Sequence, residues 1–377
     1  MTRPSDDLDA LIGELNSSAA RLDAGGRDER LDDWVRQVVA SKGSDLLLVS
    51  GSAPMMRVDG SLRAIGSTPL SDQDVEDAIL PLLPPHGRAE YQRINIVDAS
   101  LRLPGSARMR VNLHHERGKP AAAIRILPTN VPQLAQLGLP PEVENLTKLG
   151  AGLVLVGGAT GSGKTTTVAA LVDAINRRDR KHIVTVEDPI EYEHANHQGL
   201  VEQVEVGIDA PDFPTALRAA VRQAPDILVI GEMRDHESMR IALTAAETGH
   251  LVFSTLHTTD VAATVGRICD SFPNERQNTI RQELAWALAA VMTQTLIPGP
   301  SGGRAPAAEL LMVSYGARQH IRRNALQHLH QEITLTRKQG SFTLEESLAR
   351  LVKQGLITSN DALMRARHPE EMESLLR

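Results

Sequence analysis

Cysteine is almost absent from this chain of 377 residues: Cys269 is the only one. A lone thiol closes no disulfide within the chain, which fits a reducing cytoplasm, and it excludes a four-cysteine zinc site. Aromatic residues make up 2% and the formal net charge is −7. Nucleic-acid binders use a basic face and stacking rings, so no nucleic acid is expected as a partner. No apolar run approaches the ~18 residues a membrane-spanning helix needs. The N-terminus is polar and acidic, with no visible secretion signal. Internal repeats and low-complexity segments are also missing. What remains is ordinary for a soluble protein, 41% hydrophobic and 23% charged, and the length suggests two or three domains.

One stretch organises the rest. Leu153 to Val156 are apolar, two of the four β-branched, and predict a buried strand. Gly158-Ala159-Thr160-Gly161-Ser162-Gly163-Lys164-Thr165-Thr166 follows, fitting the phosphate-loop pattern. Val168, Leu171, Val172 and Ile175 then recur at helical spacing. A strand, this loop and a helix form the context that gives the motif meaning. Its glycines let backbone N–H groups turn toward phosphate oxygens, and the helix points its positive dipole end at the anion. Lys164 supplies a charge for the β- and γ-phosphates of ATP, and the Thr165 hydroxyl can ligate Mg²⁺.

Along the chain, residues 1–30 predict an acidic flexible tail in which Leu8, Leu11, Ile12 and Leu15 form a short apolar stripe. Residues 31–128 predict a small α/β domain, with strands at 46–49, 55–58, 62–65, 107–113 and 121–127. Its helices are predicted around 71–83 and 86–93, and Asp59-Gly60 is a hairpin signal. Arg110 and Arg125 alternate with apolar neighbours, which puts them on the face away from the core. They form either an ordinary solvated face or a pair that closes on nucleotide phosphate. Residues 129–149 hold Pro132, Pro140 and Pro141 and predict a linker with little regular structure. From 150 to 377, strands alternate with helices, which implies a mostly parallel sheet. Strands are predicted at 153–157, 182–187, 227–230, 251–256 and 308–313. Helices are predicted at 163–177, 212–223, 235–248, 260–270 and 276–296, with further short helices from about 317.

Nucleotides sit at the carboxyl ends of such strands, and three ends carry chemistry. One runs into Glu187, Asp188 and Glu191, which either orient water at the metal or cap and solvate a loop. The second ends in Gly231-Glu232. Many phosphate-loop ATPases place a metal-serving carboxylate on the strand beside the loop, so Glu232 is the candidate to activate water or orient Mg²⁺. The third is bracketed by His250 and His257. His257 is placed to sense the γ-phosphate and His250 to serve an interface or relay; a satisfied structural histidine is the alternative for each.

With these residues in view, the chain resembles the PilT-type ATPases, retraction motors of type IV pili within the type II/IV secretion ATPase superfamily. Gly158 to Thr166 matches the family's Walker A loop, Glu187 to Tyr192 its aspartate box, Gly231 to Asp235 its atypical Walker B, and Thr248 to Thr258 its histidine box. Arg110 and Arg125 match the pair that the family's N-terminal domain presents to nucleotide. The resemblance implies a RecA-like P-loop ATPase domain, a smaller N-terminal PAS-like α/β domain and a C-terminal helical segment. It also implies a homohexamer that splits ATP with Mg²⁺, cytoplasmic and peripheral at the inner membrane, where it meets the pilus platform protein. The family's "AIRNLIRE" hallmark reads Ala317-Arg-Gln-His-Ile-Arg-Arg-Asn324 here, which leaves open an accessory PilU-type role beside a second retraction ATPase. An assembly or secretion ATPase, a RecA-like DNA motor and a regulatory subunit with little turnover are the other readings.

Overall fold

The computed structural model describes residues 29–58, 60–103, 107–300 and 302–377. The apolar stripe of the N-terminal tail, Leu8 to Leu15, lies outside them. The chain divides into two compact units, one ending at Thr129 and the other starting at Asn130.

In the first unit, β1 (Asp45–Val49), β2 (Met55–Val58), β3 (Ser61–Ala64), β4 (Ile96–Arg102), β5 (Arg108–Glu116) and β6 (Lys119–Ile126) form one sheet in the order β3-β2-β1-β6-β5-β4. Every pairing in it is antiparallel. Period two in β5 buries Met109, Val111 and Leu113. The helix Glu29–Ala40 buries Leu31, Val35 and Val38, a stripe at helical spacing. β4 was not predicted. It is an edge strand in which Val97, Ala99 and Leu101 alternate with Asp98, Ser100 and Arg102, a half-buried strand pattern that starts directly after a helix ending at Ile94.

The second unit is built on β7 (Gly152–Gly157), β8 (His182–Glu187), β9 (Leu200–Glu205), β10 (Ile227–Ile230), β11 (Leu251–Leu256), β12 (Leu288–Pro298) and β13 (Arg304–Met312). Their order is β13-β12-β7-β11-β10-β8-β9. All neighbours run parallel except β12 and β13, an antiparallel pair at one edge. β7, β10 and β11 are buried along their length, as strands covered on both faces must be. One apolar cluster lies on each side. Leu155, Leu228 and Val252 face the first, and Val154, Val156 and Phe253 face the second. The helix Val261–Asp270 adds Cys269 to the first cluster; burial pushes its thiol up to about 11.

Two expectations are corrected. The helix predicted over 276–296 ends at Ala287, and Leu288–Pro298 is β12, between β7 and β13. A strand buried on both faces reads as a continuous apolar run, and periodicity alone does not separate it from a buried helix. The proline-rich 129–149 stretch is not devoid of structure. It forms 3₁₀ turns at Leu134–Gln136 and Pro141–Lys148. The second turn buries Val143 and Leu146 in the second unit's core, and Glu142 accepts both arms of the Arg350 guanidinium, at 2.6 and 2.7 Å. A β9 edge strand was also missed; its Glu202 and Gln203 break the apolar run.

The chain after Met312 forms short helices, among them Tyr315–Arg322, Leu344–Lys353, Ser359–Arg365 and Pro369–Leu376. Leu344, Leu348, Ala362 and Met372 close a separate apolar cluster against Ile297, Ala305 and Ala307 of the β12–β13 pair.

Candidate functional site

β7 ends at Gly157, the loop occupies 158–163, and the helix Lys164–Arg178 follows. A Cβ on Gly158 would lie 2.3 Å from Ser162 Oγ and 2.5 Å from the Gln294 carbonyl oxygen, and φ here is +153°. Only glycine fits so close an approach. Gly161 and Gly163 also hold positive φ, +76° and +89°. Lys164 is buried and donates to the carbonyls of Gly158, at 2.8 Å, and Ala159, at 3.0 Å. Burial holds its ammonium below the usual lysine value, while the Glu232 and Glu191 carboxylates pull the other way.

In sheet order, β7 is followed by β11, β10 and β8. The chain just past their carboxyl ends carries His257 and Glu232, and β8 itself ends in Glu187. β10 is therefore not beside the phosphate strand; β11 stands between them and supplies His257. His257 Nε2 lies 3.2 Å from Glu232 Oε1, and Arg234 holds Oε2 at 2.8 Å. The other ring nitrogen of His257 is 3.4 Å from Lys164 Nζ and 3.5 Å from Thr160 Oγ1. A chain of polar contacts thus joins the loop lysine to the strand-end carboxylate through the histidine.

Glu187 accepts from Thr185 Oγ1 at 2.8 Å and from Gln203 at 3.3 Å. Burial pushes its carboxyl above the usual range despite these donors. It borders a pocket also lined by Thr165, Tyr192, His194 and Thr255, and the Tyr192 hydroxyl meets Thr166 Oγ1 at 2.9 Å. Asp188 precedes Pro189 across a cis bond and acts electrostatically on Arg234.

Within the second unit, one predicted residue is not gathered at this loop. His250 precedes β11 at the opposite end of the sheet, where its Nδ1 is 3.0 Å from the Ala245 carbonyl. Arg110 and Arg125 belong to the first unit. They face each other across β5 and β6, and Arg125 donates to Asp45 at 3.0 Å.

Gln294 was missed. From β12 it donates to the Ser162 carbonyl at 2.9 Å and accepts from Thr167 Oγ1 at 2.7 Å, tying the end of the loop and the first turn of the following helix to the sheet. The polar break Thr293-Gln294-Thr295 in an apolar run was the only signal for it, hidden inside a predicted helix.

The donor set suits a magnesium nucleotide. Among the described residues no group of three or more His, Cys, Asp or Glu side chains is placed to hold a metal ion. Mg²⁺ needs no such cage, because it takes one or two protein oxygens plus substrate phosphates and water. Thr165 and Glu232 are oxygen donors of that kind.

The type II/IV secretion system protein family matches residues 97–360. The type IV pilus retraction ATPase PilT of Pseudomonas aeruginosa is 41% identical over 327 residues, spanning 87% of this chain and 95% of its own length. The type IV pilus ATPase PilU of the same organism is 35% identical over 345 residues, spanning 91% and 90%. A crystal structure of the pilus retraction motor PilT with bound ADP superposes at a TM-score of 0.83 and 38% identity, covering 90% of this chain and 98% of that one.

Proposed function

The chain belongs to the type II/IV secretion system protein family and, within it, to the PilT-type retraction ATPases, and from that premise we propose how its own residues split ATP to drive pilus retraction. The observation that carries the reading is the linked set Lys164, His257 and Glu232 at the carboxyl ends of neighbouring strands. Backbone N–H groups from Gly158 to Thr166 and the Lys164 ammonium hold the β- and γ-phosphates. Thr165, with Glu232, holds Mg²⁺, which when bound neutralises charge developing on the phosphates. Glu232 accepts the proton of the attacking water. Arg234 and His257 fix its two oxygens, so the carboxylate does not have to reorganise during the step. Glu187, Asp188 and Glu191 orient the water and the metal's ligands.

Arg110 and Arg125 are assigned to close on the transferred phosphate, the role of an arginine finger. Their placement on one strand face keeps both guanidinium groups off the first unit's core. The working form is a homohexamer, peripheral at the inner membrane, where it engages the pilus platform protein and in some settings a second retraction ATPase. The altered Ala317–Asn324 stretch favours one further reading, an accessory PilU-type motor.

Purified Glu232→Gln should bind ATP as the wild type does and lose turnover about 10²–10⁴-fold. Lys164→Ala should lose both binding and turnover. Wild-type hydrolysis by Glu232→Gln would refute the role of the carboxylate. In cells, loss of the gene should leave excess surface pili; a bald surface would point to an assembly motor instead.

A further inference from the structure

The link between the last two helices, Ser359–Arg365 and Pro369–Leu376, is tied to the loop that carries His257. Glu309, on β13, is buried, and its Oε1 accepts three hydrogen bonds. They come from the backbone N–H of Val261 at 2.9 Å, from Thr293 Oγ1 at 3.1 Å and from Arg367 Nη1 at 2.6 Å. The second arm of the Arg367 guanidinium donates to the Thr259 carbonyl. Thr259 lies two residues beyond His257, and Val261 begins the next helix. Thr293 precedes Gln294, the residue that grips the phosphate loop. Glu309 therefore joins three parts of the second unit: the loop after β11, the strand that holds the phosphate loop, and the C-terminal segment.

Arg367 is itself held in place. Its backbone N–H and that of His368 donate to Glu345 Oε1, at 2.8 and 2.9 Å. Glu345 is buried in the helix Leu344–Lys353. The helices on either side of Arg367 bury Ala362 and Met372 in the C-terminal apolar cluster. The guanidinium thus reaches Glu309 and Thr259 from a backbone anchored elsewhere. An exposed ion pair contributes little, but removing Arg367 would leave the buried Glu309 carboxylate short of a charged partner and would untie the Thr259 carbonyl from the C-terminal segment. The loop would gain freedom at the point where His257 is aimed at Glu232.

We propose that Arg367 and Glu309 form a latch through which the C-terminal segment positions His257 against Glu232, so that seating of that segment is a condition of turnover. Both are positioning residues, acting through His257. The inference rests on the hydrolytic reading of the loop and Glu232 given above.

The test uses the purified full-length chain. Arg367→Ala is expected to lower kcat about tenfold while KM and the affinity for fluorescent ADP stay within about twofold. Amide hydrogen exchange over 257–264 should quicken, and exchange over Lys164–Arg178 should not. Arg367→Lys should recover part of kcat, because an ammonium can meet Glu309 but lacks the second arm of the fork. Unchanged kcat, or unchanged exchange over 257–264, would overturn the latch. So would a parallel loss of kcat and ADP affinity with faster exchange throughout, which marks a general structural defect. Lys164→Ala separates the two levels. If it keeps nucleotide and turnover, the hydrolytic reading fails; if it loses both while Arg367→Ala behaves as wild type, only the latch fails.

Discussion

Glu187 shows how a single side chain can report on the site. It ends a strand, it is largely covered, and burial holds its carboxyl above the ordinary glutamate range against donors from Thr185 and Gln203. A pKa raised in the folded state means that the folded chain binds the proton more readily than the unfolded one. Its ionisation therefore costs stability as pH rises through the unfolded value, and the cost is complete above the folded value. Glu187→Gln keeps an acceptor for both donors and removes the charge. It should raise the midpoint of thermal unfolding by about 2 °C at pH 8 and by less at pH 4, while lowering ATP turnover. An equal gain at both pH values would show that charge is not the cause. At this scale the sequence is informative where a polar residue abruptly ends an apolar run, as at Glu187, Glu232 and His257. It is silent on their partners: nothing local links His257 to Glu232 or Arg367 to Glu309, because those pairs exist only once the strands are side by side.

Among elements, β12 is the instructive one. Leu288 to Ile297 is apolar enough to continue the preceding helix, and local propensity does not reveal where the period changes. Its place beside β7 is set by the parallel register Ala290–Val154 to Thr293–Gly157. That register brings Gln294 to the phosphate loop. Gln294→Leu has a similar volume but leaves the Ser162 carbonyl and the Thr167 hydroxyl without their partner. It should cost about 2–4 kcal/mol in urea unfolding and weaken nucleotide binding; a loss below about 0.5 kcal/mol would mean that water replaces both contacts. The phosphate loop and its flanking strand and helix were legible because pattern and context agree over fifteen residues, 153–167. The edge strands β4 and β9 were not: β4 follows a helix with a single residue between them, and Glu202 and Gln203 interrupt the apolar run of β9.

For the whole molecule, composition already narrows the partners. With a net charge of −7 and four phenylalanines, three tyrosines and two tryptophans, the chain has few stacking platforms and no overall cationic field. Adding single-stranded DNA at about 50 mM salt, where phosphate contacts are strongest, should change steady-state ATP hydrolysis less than about twofold. A larger, salt-sensitive stimulation would revive a DNA motor.

The buried sulfur of Cys269 has a practical corollary. A thiol packed in the apolar cluster, with its ionisation pushed up to about 11, offers almost no thiolate at neutral pH and meets little solvent. The native chain is close to mute toward maleimide dyes. A cysteine introduced on any exposed turn would become the one labelled position, so optical probes can be mounted without first stripping the background.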